Sequence, residues 1–309
     1  MSSGAATAES HVTAATLLPV LVLTLVWGCN WPVLKMGVAE IAPLTFRSLT
    51  LPFAALGLMA VATWSGDAIR IPREHWGKVA ALALFNITGW NALILFGVQQ
   101  LPAGRSAILA YTMPMWSVLI SLFLLHEPLS KTKLAGMALG MAGMAVLLGD
   151  DVRHLERTPT AALLIVAAAL AWGIGTVLLR KWKLPIPQNT LSGWMMLLGW
   201  IPIALLAPAF ATGPLEPPSA AGWFAILYNI FLAGTVAHAA WYRLARTLPV
   251  AVSSMASLPV PVVGVFSGMV VLGERPGAAE WAALGLVVAA MVAVLWPPKP
   301  APAPMAPDD

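Results

Sequence analysis

Charge is the scarcest commodity of this chain. Asp, Glu, Lys and Arg supply only 10% of 309 residues, against roughly 25% in an ordinary soluble domain, which excludes a water-soluble globule. Cysteine is nearly absent: Cys29 alone rules out an internal disulfide and, inside an apolar run, reads as a small packing residue. Residues 1–13 hold no Lys or Arg, so the first apolar run lacks the basic start of a signal peptide and reads as retained. No HExxH, no GxSxG and no aspartate pair interrupts an apolar run. The familiar signatures of intramembrane hydrolysis are therefore missing, and neither an enzyme nor a cofactor or metal is expected. Of 13 acidic residues, Glu127 and Glu274 come nearest to apolar runs, both at run ends. No carboxylate sits mid-run, which argues against a buried proton relay of the kind coupled transporters use. Each Glu is expected to meet solvent at a helix end or to hold the next turn by a hydrogen bond.

What is present is apolar length. Hydrophobic residues make up 59% of the chain, and about 20 of them are needed for a helix to cross a bilayer. The runs and their Pro and Gly punctuation predict ten helices, over 14–36, 43–64, 76–98, 102–125, 131–149, 160–181, 187–209, 219–243, 249–272 and 277–296. Runs this long are helical rather than barrel strands, so the expected class is an all-α integral membrane protein. Tails at 1–13 and 297–309, the latter rich in Pro and Ala, and a connection at 150–159 flank two five-helix units, 14–149 and 160–296. The net charge of +4 reads as cytoplasmic loop charge rather than as a nucleic-acid surface. With both termini cytoplasmic, eleven of the 17 Lys and Arg residues fall inside and six outside, in line with the positive-inside rule.

The two units match each other. At an offset of 147, Leu101, Pro102, Ser106, Pro114 and Glu127 meet Leu248, Pro249, Ser253, Pro261 and Glu274. At 145, Trp27-Gly28 and Lys35 meet Trp172-Gly173 and Arg180. Five crossings are an odd number, so the second copy must enter from the opposite face. That is an inverted-topology repeat, a design with a binding cavity between its halves.

Candidate site residues follow from this match. Thr88 pairs with Thr235 and Asn91 with His238, three apart in each copy and hence expected on one helical face. Such polar groups face a cavity or bond between helices. His238 could titrate near neutral pH or serve as a packing residue. Trp90 and Tyr242 lie nearby. Trp27 and Trp172 are expected inside, with Lys35 and Arg180, two turns on, snorkelling outward. Pro114, Pro259 and Pro261 interrupt matched helices as hinges or static bends, with Tyr111 one turn before the first and Ser257 just before the second. Trp64, Trp76, Trp223 and Trp296 read as interfacial anchors. Gly136, Gly140 and Gly143 mark either internal packing or a homodimer seam, so monomer and homodimer both stay open. Arg47 reads chiefly as a membrane-edge structural charge, with attraction of an anionic group as the alternative.

Trp27-Gly28-Cys29-Asn30 with Lys35, Pro43-Leu44-Thr45-Phe46-Arg47 and His126-Glu127-Pro128-Leu129-Ser130 resemble the EamA-type drug/metabolite transporter superfamily, as do Trp172-Gly173 and Gly273-Glu274-Arg275-Pro276 in the second copy. Within it the chain looks most like YddG-type amino acid exporters. Two departures stand out: no Arg matches Arg47 in the second copy, and His126 replaces the Gly usual before the first Glu. The resemblance implies a bacterial inner-membrane, multi-pass protein with ten helices in two inverted halves around a central cavity. It implies export of amino acids, aromatic and other neutral ones included, or of related metabolites, with the lipid bilayer and a small-molecule substrate as partners. A multidrug or other small-metabolite exporter of the same superfamily is the nearest alternative. An intramembrane enzyme or a receptor is a different class, against which the long repeat counts.

Overall fold

The computed structural model describes residues 14–126, 130–153, 159–211, 216–241 and 259–295. All regular structure among them is helical. The elements are α1 (Ala14–Glu40), α2 (Pro43–Trp64), α3 (Arg73–Gln100), α4 (Ala103–Leu124), α5 (Lys131–Arg153), α6 (Pro159–Trp182), α7 (Gln188–Phe210), α8 (Ala220–Trp241), α9 (Val260–Leu272) and α10 (Ala278–Leu295). The first eight are long and apolar enough to cross a membrane, and α9 and α10 are shorter apolar helices. Each expected run among the described residues appears within a few residues of its expected bounds; 242–258, the start of the ninth run, lies outside them.

Local sequence explains the ends. Pro43 occupies the first turn of α2, where a missing N–H costs nothing. Ser219 caps α8, its Oγ accepting from Ala221 N at 3.1 Å and Gly222 N at 3.3 Å. Gly273, at φ +67°, turns the chain left-handed to end α9. Within α4, Pro114 starts a second helical segment at Met113, and Tyr111 and Thr112 form the turn between the two. Pro259 and Pro261 stand at the corresponding place, at the N-terminus of α9. Helix α4 is thus interrupted where its proline lies, while the residues before Pro259 lie outside the described ones.

Helix α2 packs on α7, α5 on α10, α1 on α9 and α8, α6 on α4 and α3, α2 on α8, and α7 on α3. Exchanging the first five helices for the last five maps this set of partners onto itself. Close approach is bought by glycine at matched places: a Cβ on Gly28 would strike Val263 of α9, and one on Gly173 would press on Trp116 of α4. Val263 and Trp116 stand 147 apart, the offset already seen in the sequence. Gly136 and Gly143 face α10, and Gly140 faces Met115 of α4, so these three serve contacts within the chain. Leu205, Val270, Phe123 and Phe231 point outward and exposed, as side chains facing lipid should. Trp64 is 92% exposed at the end of α2, and Trp223 is half-exposed near the start of α8. Trp76 instead meets Trp194 edge-on at 4.9 Å; Trp296 lies outside the described residues.

Candidate functional site

Helices α3 and α8 share an irregularity that shapes the interior. Each widens into π-helical turns, at Leu84–Gly89 and Tyr228–Val236. A π turn bonds i to i+5 and leaves carbonyls facing sideways. In α8 the carbonyl of Ala233 accepts the Trp27 indole N–H at 3.2 Å and lies 2.8 Å from His238 Nδ1. The Thr235 hydroxyl donates to Ile230, five residues back, at 2.9 Å.

Between these helices, α1, α2 and the α4 turn lies a cavity of about 140 Å³. Its aromatic walls are Trp27, Trp31, Trp90, Tyr111 and Trp172. Trp90 and Trp172, one from each half, meet at 5.1 Å, and Trp27 meets the His238 ring edge-on at 5.3 Å. The polar lining comes from Asn30, Arg47, Thr50, Asn86, Asn91, Asn229 and His238. Among the described lining residues there is no Asp or Glu, and Arg47 is the only Lys or Arg. Its Nη1 donates to Asn229 Oδ1 at 3.0 Å, and Asn229 Nδ2 in turn donates to Ala225 O at 3.0 Å. Asn91 Nδ2 donates to Ile87 O at 2.8 Å.

Eight buried side-chain polar atoms lack a hydrogen-bond partner among the described residues, and four of them line this cavity: Asn30 Oδ1, Arg47 Nε, Thr50 Oγ1 and Asn86 Oδ1. Buried polar atoms are rarely left so, and their gathering marks a place built to receive polar groups. A second, larger cleft of about 440 Å³ lies where α4 and α10 begin and α5 and α9 end. Of the eight atoms only Arg105 Nε lies here, and the charges of Arg105 and Glu274 are answered within the protein. Arg105 Nη1 reaches Asp150 at 3.0 Å and Glu280 at 2.7 Å, and its Nη2 donates to Leu147 O. Glu274 accepts from Ala103 N at 2.6 Å and Gly104 N at 3.0 Å. The cavity, whose polar atoms want partners, is the better candidate for a ligand.

The expected site residues divide accordingly. Trp27, Trp90, Asn91, Tyr111, Trp172 and His238 line the cavity. Thr88 and Thr235 do not: Thr88 donates to Gly199 O of α7 at 2.9 Å, and Thr235 bonds within its own helix. The expected shared face of Thr88 and Asn91 fails because a π turn winds more residues per turn, so a spacing of three no longer stacks side chains. Tyr242 and Ser257 lie outside the described residues. Lys35 does not snorkel: it donates to the carbonyls of Val98, Gln99 and Leu101 at 2.8–3.0 Å, closing the end of α3. Arg180 is exposed. Glu274 holds the first turn of α4 rather than a turn of its own, and Glu127 lies outside the described residues. Asn30, named only as part of a family motif, and Thr50, Asn86 and Asn229 were not read as site residues from the sequence. A signal for two of them exists: Leu84-Phe85-Asn86-Ile87 and Leu227-Tyr228-Asn229-Ile230 match at an offset of 143, which a comparison held at 147 passes over. Among the described residues no three His, Cys, Asp or Glu side chains gather to hold a metal.

A bundle of apolar, membrane-length helices around a chamber with a partly polar lining from both halves defines a multi-pass membrane protein with an internal cavity. The chain belongs to the EamA-like transporter family, whose model matches it twice, over residues 14–149 and 159–296. It is 25% identical to the uncharacterized transporter YoaV of Bacillus subtilis, over 84% of this chain and 89% of that protein. It is 27% identical to the uncharacterized inner membrane transporter YedA of Escherichia coli K12, over 93% of this chain and 94% of that protein. A probable amino-acid metabolite efflux pump of Escherichia coli K12 is 24% identical, over 82% of this chain and 86% of that protein. A solved crystal structure superposes with a TM-score of 0.65 at 22% identity, covering 91% of this chain and 96% of that one, which bears on the fold alone.

Proposed function

We propose that the protein is an inner-membrane exporter of amino acids, aromatic and other neutral ones included, and of related metabolites. It has ten spans in two inverted five-helix halves, with both termini cytoplasmic, and works by alternating access around the central cavity. The observation that carries this reading is the cavity itself: a chamber lined from both halves, with aromatic walls and four unpartnered polar atoms. Desolvating the two ends of a zwitterion is costly unless each finds a partner, and amide oxygens together with a guanidinium supply both kinds. Trp27, Trp90, Tyr111 and Trp172 would meet the side chain, while Asn91 and His238 would contribute polar contacts. The exchange symmetry of the helix partners supports the inverted halves, and the probable amino-acid metabolite efflux pump among the relatives supports the cargo class. The lack of any Asp or Glu among the described residues of the cavity wall favours a facilitator over a carboxylate-driven antiporter.

The test is efflux from proteoliposomes loaded with single labelled amino acids, with and without a pH gradient. Efflux of several neutral amino acids at a rate indifferent to the gradient is the expected result. Folded protein that moves none of them, but moves other metabolites or drugs, would replace this reading with the multidrug or other-metabolite one.

A further inference from the structure

We propose that Arg47 is the anchor for a carboxylate on the cargo, so that the cavity selects molecules bearing one free carboxylate beside a hydrogen-bond donor. This rests on the reading of the cavity as the cargo site and assigns a role to a residue that the sequence presents chiefly as structural.

Arg47 lies in the first turns of α2, 7% exposed, and lines the cavity. A buried guanidinium ordinarily sits against a carboxylate, as Arg105 does. Among the described residues Arg47 has none: its single hydrogen bond goes to the neutral amide oxygen of Asn229, and Nε has no partner. Asn229 is itself fixed to Ala225 O, so it holds one corner of the guanidinium and fixes the orientation of the rest. The fork formed by the remaining N–H groups matches the two oxygens of a carboxylate. A dianionic phosphate fits less well, because no second Lys or Arg is among the described residues that line the cavity. The complementary half of the site is also present. Asn30 Oδ1 and Asn86 Oδ1 are unpartnered acceptors on α1 and α3, and the Thr50 hydroxyl lies one turn beyond Arg47 on α2. They suit an ammonium or another donor on the cargo. The aromatic residues then take the apolar remainder.

The test compares acid and amide forms of one cargo, phenylalanine with phenylalaninamide and leucine with leucinamide, by ligand-induced thermal stabilisation of the purified full chain and by competition in counterflow. Wild-type protein should take each acid about tenfold or more in preference to its amide, since a charge-assisted bidentate contact is lost in the amide. Arg47→Gln should bring the two forms within about twofold, and Arg47→Lys should keep part of the preference. Equal response to acid and amide in the wild type would overturn the proposal without recourse to any variant, which matters if Arg47→Gln does not fold. So would a preference that survives Arg47→Gln. Failure of the amino acid reading is separable. If no amino acid binds but 3-phenylpropionate is taken over its amide in an Arg47-dependent way, the anchor stands and the cargo class changes. If no carboxylate of either kind binds folded wild-type protein, the anchor is wrong.

Discussion

Arg47 and Arg105 are both buried, both in the opening turns of a helix of the first half, and held in opposite ways. Arg105 meets two carboxylates and a backbone carbonyl, joining α4, α5 and α10 at one end of the bundle. Arg47 meets one neutral amide and lines a cavity with no acid among its described residues. Near Arg105 the charges of Glu274 and Lys35 are also held by the protein, on the first turn of α4 and on the end of α3. Near Arg47 four buried polar atoms wait unanswered. One region is closed by contacts within the protein, and the other gathers four buried polar atoms without a partner among the described residues.

The largest expected effect comes from breaking the closed region. Arg105→Ala leaves Asp150 and Glu280 without their cation in a partly buried place, which costs about 3 kcal/mol. Thermal unfolding of the purified protein should show it as a large fall in midpoint; an unchanged midpoint would mean that the ion cluster contributes nothing net. Arg47→Met should behave in the opposite sense. It removes a buried cation that no carboxylate compensates, so stability changes by less than about 1 kcal/mol, while efflux of amino acids falls about tenfold or more. A midpoint that drops as far as that of Arg105→Ala would give both arginines the same structural role and erase the comparison.

A smaller effect is expected where the cavity wall touches α6. A Cβ on Gly175 would overlap the Asn86 side-chain amide. Because the obstacle is the end of a side chain, Gly175→Ala should cost only about 1 kcal/mol, yet it displaces one of the unpartnered acceptors. Efflux should drop several-fold at near-normal expression. Efflux equal to wild type would remove Asn86 from the proposed cargo contacts.

Much of the architecture was legible because bilayer crossing imposes length and apolarity on each segment, and because repetition left matched Trp-Gly pairs and prolines. Trp27 and Trp172 could be placed inside because they match across the repeat, each two turns before a cation. The polar lining was harder to read. Arg47 has no counterpart in the second copy, where Ser192 stands, so the repeat offered no guidance on it. Asn86 and Asn229 escaped because the match between α3 and α8 shifts from 143 to 147 within the helix, and the π turns fall where it shifts. Hydrophobic periodicity assumes an α-helix throughout, so it misdirects side chains at the very turns that shape the cavity.

Thr88 gives the finest test of that point. Periodicity places it beside Asn91, yet its hydroxyl donates to Gly199 O on α7, away from the cavity lining. Thr88→Val keeps the shape and removes the donor. An interhelical hydrogen bond inside a membrane bundle is worth about 0.6 kcal/mol on average, because a carbonyl in the helix of the acceptor already has an intrahelical partner. The expected outcome is a slight fall in unfolding midpoint with efflux rate and acid-over-amide preference both at wild-type values. Asn91→Ala, on the same helical face as Thr88 by the sequence pattern but on the cavity wall in the structure, should do the reverse, with little loss of stability and a clear loss of efflux. If Thr88→Val lost efflux as Asn91→Ala does, the two residues would share a face after all, and the π turn of α3 would have to be regular helix in the working transporter.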